Sequence, residues 1–159
     1  MLGPGIVEGA RAPIFDRLVD ESPKVETEPR PFRTLNRQEL RESVRRDLGR
    51  LLNTRCPIPP HLLYGRQRSV VDYGAPDFTA FTPQNTQDQT RLGFLLTRTV
   101  EAFEPRLHRV RVSVSPNHKK EQALRATLEA VLVVGSIAEA VSFPIAIQRK
   151  TGEVEVFDG

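Results

Sequence analysis

The 159 residues are 38% hydrophobic and 27% charged, with 23 Lys and Arg against 20 Asp and Glu. That is the composition of one globular domain with a core, and no apolar run approaches the roughly 20 residues a membrane helix needs. The arginines are scattered and tryptophan is absent, which ranks nucleic-acid binding low, because such surfaces gather cations among aromatic rings.

Met1 to Gly5 lacks the basic start and apolar core of a signal peptide. Cys56 stands alone, excluding an intrachain disulfide and a thiolate metal site and fitting a reducing cytosol. Residues 1–12, rich in Gly and Pro, read as a loose arm. Pro13 suits the first turn of a short helix through Ile14, Phe15, Leu18 and Val19. Pro23, Pro29 and Pro31 among mixed charges give 20–33 the composition of a linker. The division expected is an arm over 1–33 and a domain over 34–159.

Leu40, Val44, Leu48, Leu51 and Leu52 form one helical stripe, with Glu39, Glu42, Ser43, Arg46 and Arg50 opposite. Thr34 or Asn36 can cap this helix, and Glu42 with Arg46 is a favourable i,i+4 pair. Arg37, Arg41 and Arg45 climb the edge of the stripe. Either their stems cover apolar surface, or one of them meets a carboxylate on another segment or subunit. A proline-rich loop follows, and Gly74 is free to take positive φ. A second helix carries Leu92, Leu95, Leu96, Val100 and Phe103, with Thr86 and Gln89 as its capping box and Asp88 at its positive end.

Pro105 ends that helix by biasing Glu104 away from the α region. Val110, Val112 and Val114 then alternate with Arg109, Arg111 and Ser113 as a strand does. Glu104, Pro105 and Arg106 therefore make an acid–base corner between helix and strand, the candidate functional centre. A polar turn over 115–120 leads to a second strand near 123–133, with Leu124, Ala126, Leu128, Ala130 and Leu132 on one face. Val131 and Val133 on the other face suggest cover on both sides there. Gly135 and Ser136 break it, Val141, Phe143, Ile145 and Ile147 build a third strand, and Val154 and Val156 a short fourth. Helices first and a meander afterwards indicate an α+β domain, its helices packed on one face of a small antiparallel sheet. The strands near 109–114 and 154–157 are then either candidate open edges for a partner's strand, with Val154 and Val156 among the binding residues, or edges capped by the chain's own loops.

Several motifs carry a resemblance. Phe103-Glu104-Pro105-Arg106-Leu107 resembles the Glu-Pro-Arg signature of the baseplate wedge family shared by contractile phage tails and type VI secretion systems, sometimes labelled lysozyme-like. Phe15-Asp16-Arg17-Leu18, Arg46-Asp47-Leu48, Leu51-Leu52-Asn53-Thr54-Arg55 and Tyr73-Gly74-Ala75-Pro76-Asp77 are similar, in that order, to motifs of its TssE branch, with Ala75 where Leu is more usual. The resemblance implies a cytoplasmic, non-enzymatic subunit at the baseplate near the inner membrane. It implies TssF, TssG and TssK as partners and a starting surface for the sheath proteins TssB and TssC, without direct membrane insertion. The alternatives are a wedge protein of another contractile injection system and, from a different class, a peptidoglycan glycan hydrolase.

Hydrolysis normally needs two carboxylates across the scissile bond, one with a raised pKa. Glu101 and Glu104 are near in sequence, but Arg106 beside Glu104 favours the ionised acid, the wrong direction for a general acid. His61, His108 and His118 are too scattered to form a local site, Cys56 has no activating neighbour in sequence, and no Gly-rich phosphate loop is present. The expectation is no catalytic residue, no metal and no cofactor, with Glu104, Pro105, Arg106, Arg37, Arg41, Arg45, Val154 and Val156 serving partners.

Overall fold

The structure, a computed structural model, describes residues 10–18, 23–24, 34–116, 123–135, 137–148 and 151–159. The beginning of the expected arm (1–9), Val19, most of the linker, the centre of the polar turn (117–120) and Ser136 lie outside those residues. In chain order the elements are β1 (Ala10–Arg11), α1 (Ile14–Leu18), β2 (Thr34–Leu35), α2 (Arg37–Asn53), α3 (Thr86–Phe103), β3 (Leu107–Pro116), β4 (Ala123–Val134), β5 (Ile137–Gln148) and β6 (Val154–Val156). Single 3-10 turns lie at Pro60–Leu62 and Val70–Asp72.

Local chemistry sets the helix ends. Asn36 accepts from the Glu39 N–H at 2.9 Å, and Glu39 accepts from the Asn36 N–H at 2.8 Å, so of the two foreseen caps Asn36 is used. The cap of α3 is Asn85, one residue before the expected Thr86. Its side-chain oxygen accepts the Gln87 N–H at 2.9 Å, while Asp88 reaches back to the Thr82 N–H at 2.9 Å. Glu42 pairs with Arg45 instead of Arg46, because Arg46 is taken by Asp16.

Strands β3 to β6 pair antiparallel in sequence order. Gly135, at φ 59, turns β4 into β5, and their ladder runs without a slip from Ala123 opposite Gln148 to Val134 opposite Ile137. The inner face carries Leu124, Leu128, Leu132, Phe143, Ile145 and Ile147, which join the α2 stripe and Leu92, Leu96 and Val100 of α3 in one core. Each such side chain contributes about 1.5–3 kcal/mol by leaving water. The architecture is the α+β one expected. On the other face Val133 is 37% exposed; the double cover expected at the end of β4 is not formed, because α2 and α3 both pack on the inner face. Ala10 and Ala12 are buried and β1 pairs with β2, so this part of the arm is anchored, not loose.

Helix α3 lies against the free edge of β3. The Thr97 hydroxyl accepts the Val112 N–H at 3.1 Å. A Cβ on Gly93 would stand 2.7 Å from the Val112 carbonyl oxygen, so glycine is what lets the helix backbone reach the strand. A bulge between His108 and Arg111, with Arg109 at φ 53, turns the start of the strand. Gly93→Ala should push helix and strand apart and cost about 1–3 kcal/mol. Gly49→Ala in α2, where an added Cβ meets nothing within 4 Å, should instead gain about 0.5–1 kcal/mol. Thermal melting of both variants checks the contrast.

Candidate functional site

The corner between α3 and β3 is built by its own backbone. The Glu104 N–H donates to the Val100 carbonyl at 2.8 Å, and the Leu107 N–H donates to the Glu104 carbonyl at 3.1 Å. This tight turn leaves Pro105 exposed and drives Glu104 inward, to 4% exposure. Arg106 folds back onto it with a two-pronged grip, Nε to Oε1 at 2.7 Å and Nη2 to Oε2 at 2.6 Å. Nη2 also meets Asp47 Oδ2 at 2.7 Å, and Nη1 donates to Ser43 Oγ at 3.1 Å.

Ser43 and Asp47 are one turn apart on α2 and so face the corner together. Ser43, expected on the polar side of that helix, is 2% exposed. It is buried because its hydroxyl links two segments, accepting from Arg106 and donating to Asp16 Oδ2 at 2.9 Å. Asp16 is held in turn by Arg46, and Asp47 by Arg50 at 3.2 Å. Burial pulls the Arg106 pKa down, but the hydrogen bonds and charges of Glu104 and Asp47 outweigh it and leave the guanidinium more basic than usual. Tyr73 packs edge-on against Phe103 at 5.2 Å, and burial, then the charges of Asp47 and Glu104, raise its hydroxyl pKa. Three of the sequence motifs, those of Asp16, Asp47 and Glu104–Arg106, thus meet in one ionic network.

Of the remaining motifs, that of 51–55 meets β6 and the turn before it, and that of 73–77 meets the end of α2. Asn53 Nδ2 donates to the Val154 carbonyl at 2.7 Å and Asn53 Oδ1 accepts the Val154 N–H at 2.9 Å, so the side-chain amide imitates a neighbouring strand. Arg45 donates to the Val156 carbonyl at 2.9 Å, and Arg41 holds Asp158 at 2.8 Å and the Gly159 carbonyl at 2.7 Å. Arg55 reaches the Gly152 carbonyl and lies over the Phe78 ring at 4.3 Å. Gly74, at φ 118, lets Ala75 bridge to the end of α2: its N–H donates to Thr54 O at 2.8 Å and its carbonyl accepts the Cys56 N–H at 2.9 Å.

The expected open edge at Val154 and Val156 is therefore closed. Their side chains enter the core, and their outward carbonyls and the Val154 N–H are occupied by α2. Arg41 and Arg45 have partners inside the chain, while Arg37 is exposed and has no ion pair among the described residues. Glu101 pairs outward with Arg98 at 3.2 Å, so it shares no cleft with buried Glu104. His61 and His108 are exposed, and Cys56 is buried. Among the described residues no group of His, Cys, Asp and Glu is placed to hold a metal ion.

Residues 38–136, which contain Ser43, Asp47, Asn53 and the Glu104–Arg106 corner, match the family described as baseplate wedge protein gp25. The chain belongs to that family. It is accordingly a structural baseplate component. A chain of the solved structure titled as the baseplate complex from the type VI secretion system shares the fold of this gp25-family member. The TM-score is 0.52 at 21% identity, over 70% of this chain and 96% of that one. No curated protein sequence matches. Asp16 and β6 lie outside the matched residues, yet each is tied to α2 inside them.

Arg106→Ala should cost the gp25-family domain about 3–5 kcal/mol, because it leaves Glu104 buried without its cation. Chemical denaturation checks this, and Arg106→Lys should recover part of the loss, since lysine supplies the charge without the fork.

Proposed function

We propose that this chain is a baseplate subunit of a type VI secretion system that joins wedge subunits and gives the contractile sheath its starting surface. The observation that carries the reading is the network around Arg106, which uses the family's motif residues to hold α2, α3 and β3 at fixed angles. Such a network suits a part whose work is to transmit geometry. A catalytic acid needs access to substrate, and both Glu104 oxygens are occupied by Arg106 out of solvent. We therefore assign no hydrolase activity, and the purified protein is expected not to cleave peptidoglycan.

The wedge partners in this reading are TssF, TssG and TssK, met by exposed Pro105 and Arg37, with Glu104 and Arg106 fixing the corner from beneath. The subunit then sits in the cytoplasm, near the inner membrane. The sheath proteins TssB and TssC begin at the edge of β3. Val112 is covered by α3, and by the alternation of the ladder the N–H of Val114 also points away from β4.

Two variants separate these jobs. Arg37→Ala should leave melting unchanged within about 0.5 kcal/mol and weaken recovery of the wedge subunits in a co-purification. Val114→Pro removes an edge N–H without touching the ladder to β4. It should keep the wedge subunits bound and stop sheath growth, seen by electron microscopy of cells. Full-length sheaths in the Val114→Pro strain would sink the template role. Unchanged co-purification with Arg37→Ala would remove Arg37 from the wedge contact.

A further inference from the structure

The 60–72 segment arches over the outer side of α3 and encloses a groove of about 500 Å³ between Leu63, Tyr64, Arg66 and Arg68 on one wall and Phe94 and Arg98 on the other. That volume lies in the range of ligand-binding clefts. The Tyr64 and Phe94 rings stack across it, 6.1 Å between centroids and 24° between planes, each 51% exposed. Leu62, Val70 and Val71 in the same segment are also exposed. Two large rings stacked on each other and left half in water mark an interaction surface more often than a scattered single residue does.

The groove carries one positive charge in excess. Arg66, Arg68 and Arg98 line it together with Glu101, and buried Asp72 stands behind Arg66. Arg98 is paired with Glu101, and Arg66 with Asp72, each at 3.2 Å. Asp72, fully buried, is further held by Ser69. Arg68 donates to the carbonyls of Asp72 at 2.8 Å and Gly74 at 3.3 Å and lies over the Phe103 ring at 5.1 Å. Its Nε is buried without a hydrogen-bond partner, and no carboxylate forms an ion pair with it among the described residues. The Asp72 carboxylate acts on Arg68 only through space, being hydrogen-bonded to Arg66 and Ser69, and an orphaned buried donor is costly.

We propose that this groove docks a segment of a partner protein in which leucine or phenylalanine alternates with aspartate or glutamate. The apolar side chains cover the Tyr64–Phe94 pair, and a carboxylate compensates Arg68 with Arg66 and Arg98 at the rim. This rests on the groove alone and goes beyond the baseplate reading, which stands or falls separately.

The test uses the full chain and two short fluorescein-labelled peptides, one alternating Leu with Asp and one alternating Leu with Lys, with binding read by fluorescence anisotropy. The Leu/Asp peptide should bind and the Leu/Lys peptide should not. Phe94→Asp, and separately Arg98→Glu, alter exposed side chains and should keep the circular dichroism of the parent. Each should weaken the Leu/Asp peptide by about tenfold or more. Equal binding of both peptides, binding of neither, or parent-like binding by the variants would overturn the proposal. Self-association of the parent that disappears in Phe94→Asp would overturn it too, by making a second copy of the chain the occupant.

Discussion

Arg106 is the point where segments far apart in sequence become one body. A guanidinium offers five N–H donors in a fixed plane, and this one sets Glu104 on one side and Ser43 and Asp47 on the other. Desolvating such charges consumes most of what their attraction returns, so a buried pair is weak as a source of net stability. What it provides is direction. The fork fixes the orientation of the α3–β3 corner relative to α2, and Pro105 removes the backbone freedom that would otherwise let the corner relax. A lysine ammonium would keep the charge and lose the plane.

The same economy governs the sheet. An open antiparallel meander has two edges, and each is a hazard for uncontrolled pairing. At β6 the α2 side chains of Asn53 and Arg45 take the groups that a further strand would take. At β3 the backbone of α3 itself approaches, with Gly93 removing the side chain that would keep it away and Thr97 accepting the Val112 N–H. The helices thus shield both the inner face of the sheet and parts of its two flanks. Any surface for added strands is confined to what they leave, and in β3 that is the stretch beyond Val112.

Features with a local cause were legible in the sequence. Leu40 to Leu52 and Val110 to Val114 announce helix and strand because each residue's burial follows from its own period. At the start of α3 Asn85 and Thr86 both carry suitable oxygens, and only the backbone direction, which the sequence does not display, selects Asn85 as the cap. Ser43 sits at the border of a helical stripe. Its burial is decided by Asp16 and Arg106, 27 and 63 positions away, which no periodicity encodes. The closure of the edge at Val154 is not legible for the same reason: the alternation fixes which way its side chain points, and Asn53, 101 positions earlier, decides what its backbone meets. The motif resemblance located Asp16, Asp47, Asn53 and Arg106 as separate signatures. Their union in two clusters on α2 is a property of the fold.

That arrangement has a temporal consequence. α2 is made early, but Asn53 waits for a residue 101 positions later and Arg41 for one 117 positions later. On the ribosome, at roughly 5–20 residues per second, α2 therefore spends several seconds with its polar rim unsatisfied and its leucine stripe uncovered. Closure needs contacts of long sequence separation, which are slow to form because the loop entropy must be overcome first. The α2–β6 side of the domain therefore closes late, when β6 docks. The corner around Arg106 draws only on Asp16, Ser43, Asp47 and Glu104 and does not wait for that event, so the two clusters on α2 are completed at different times.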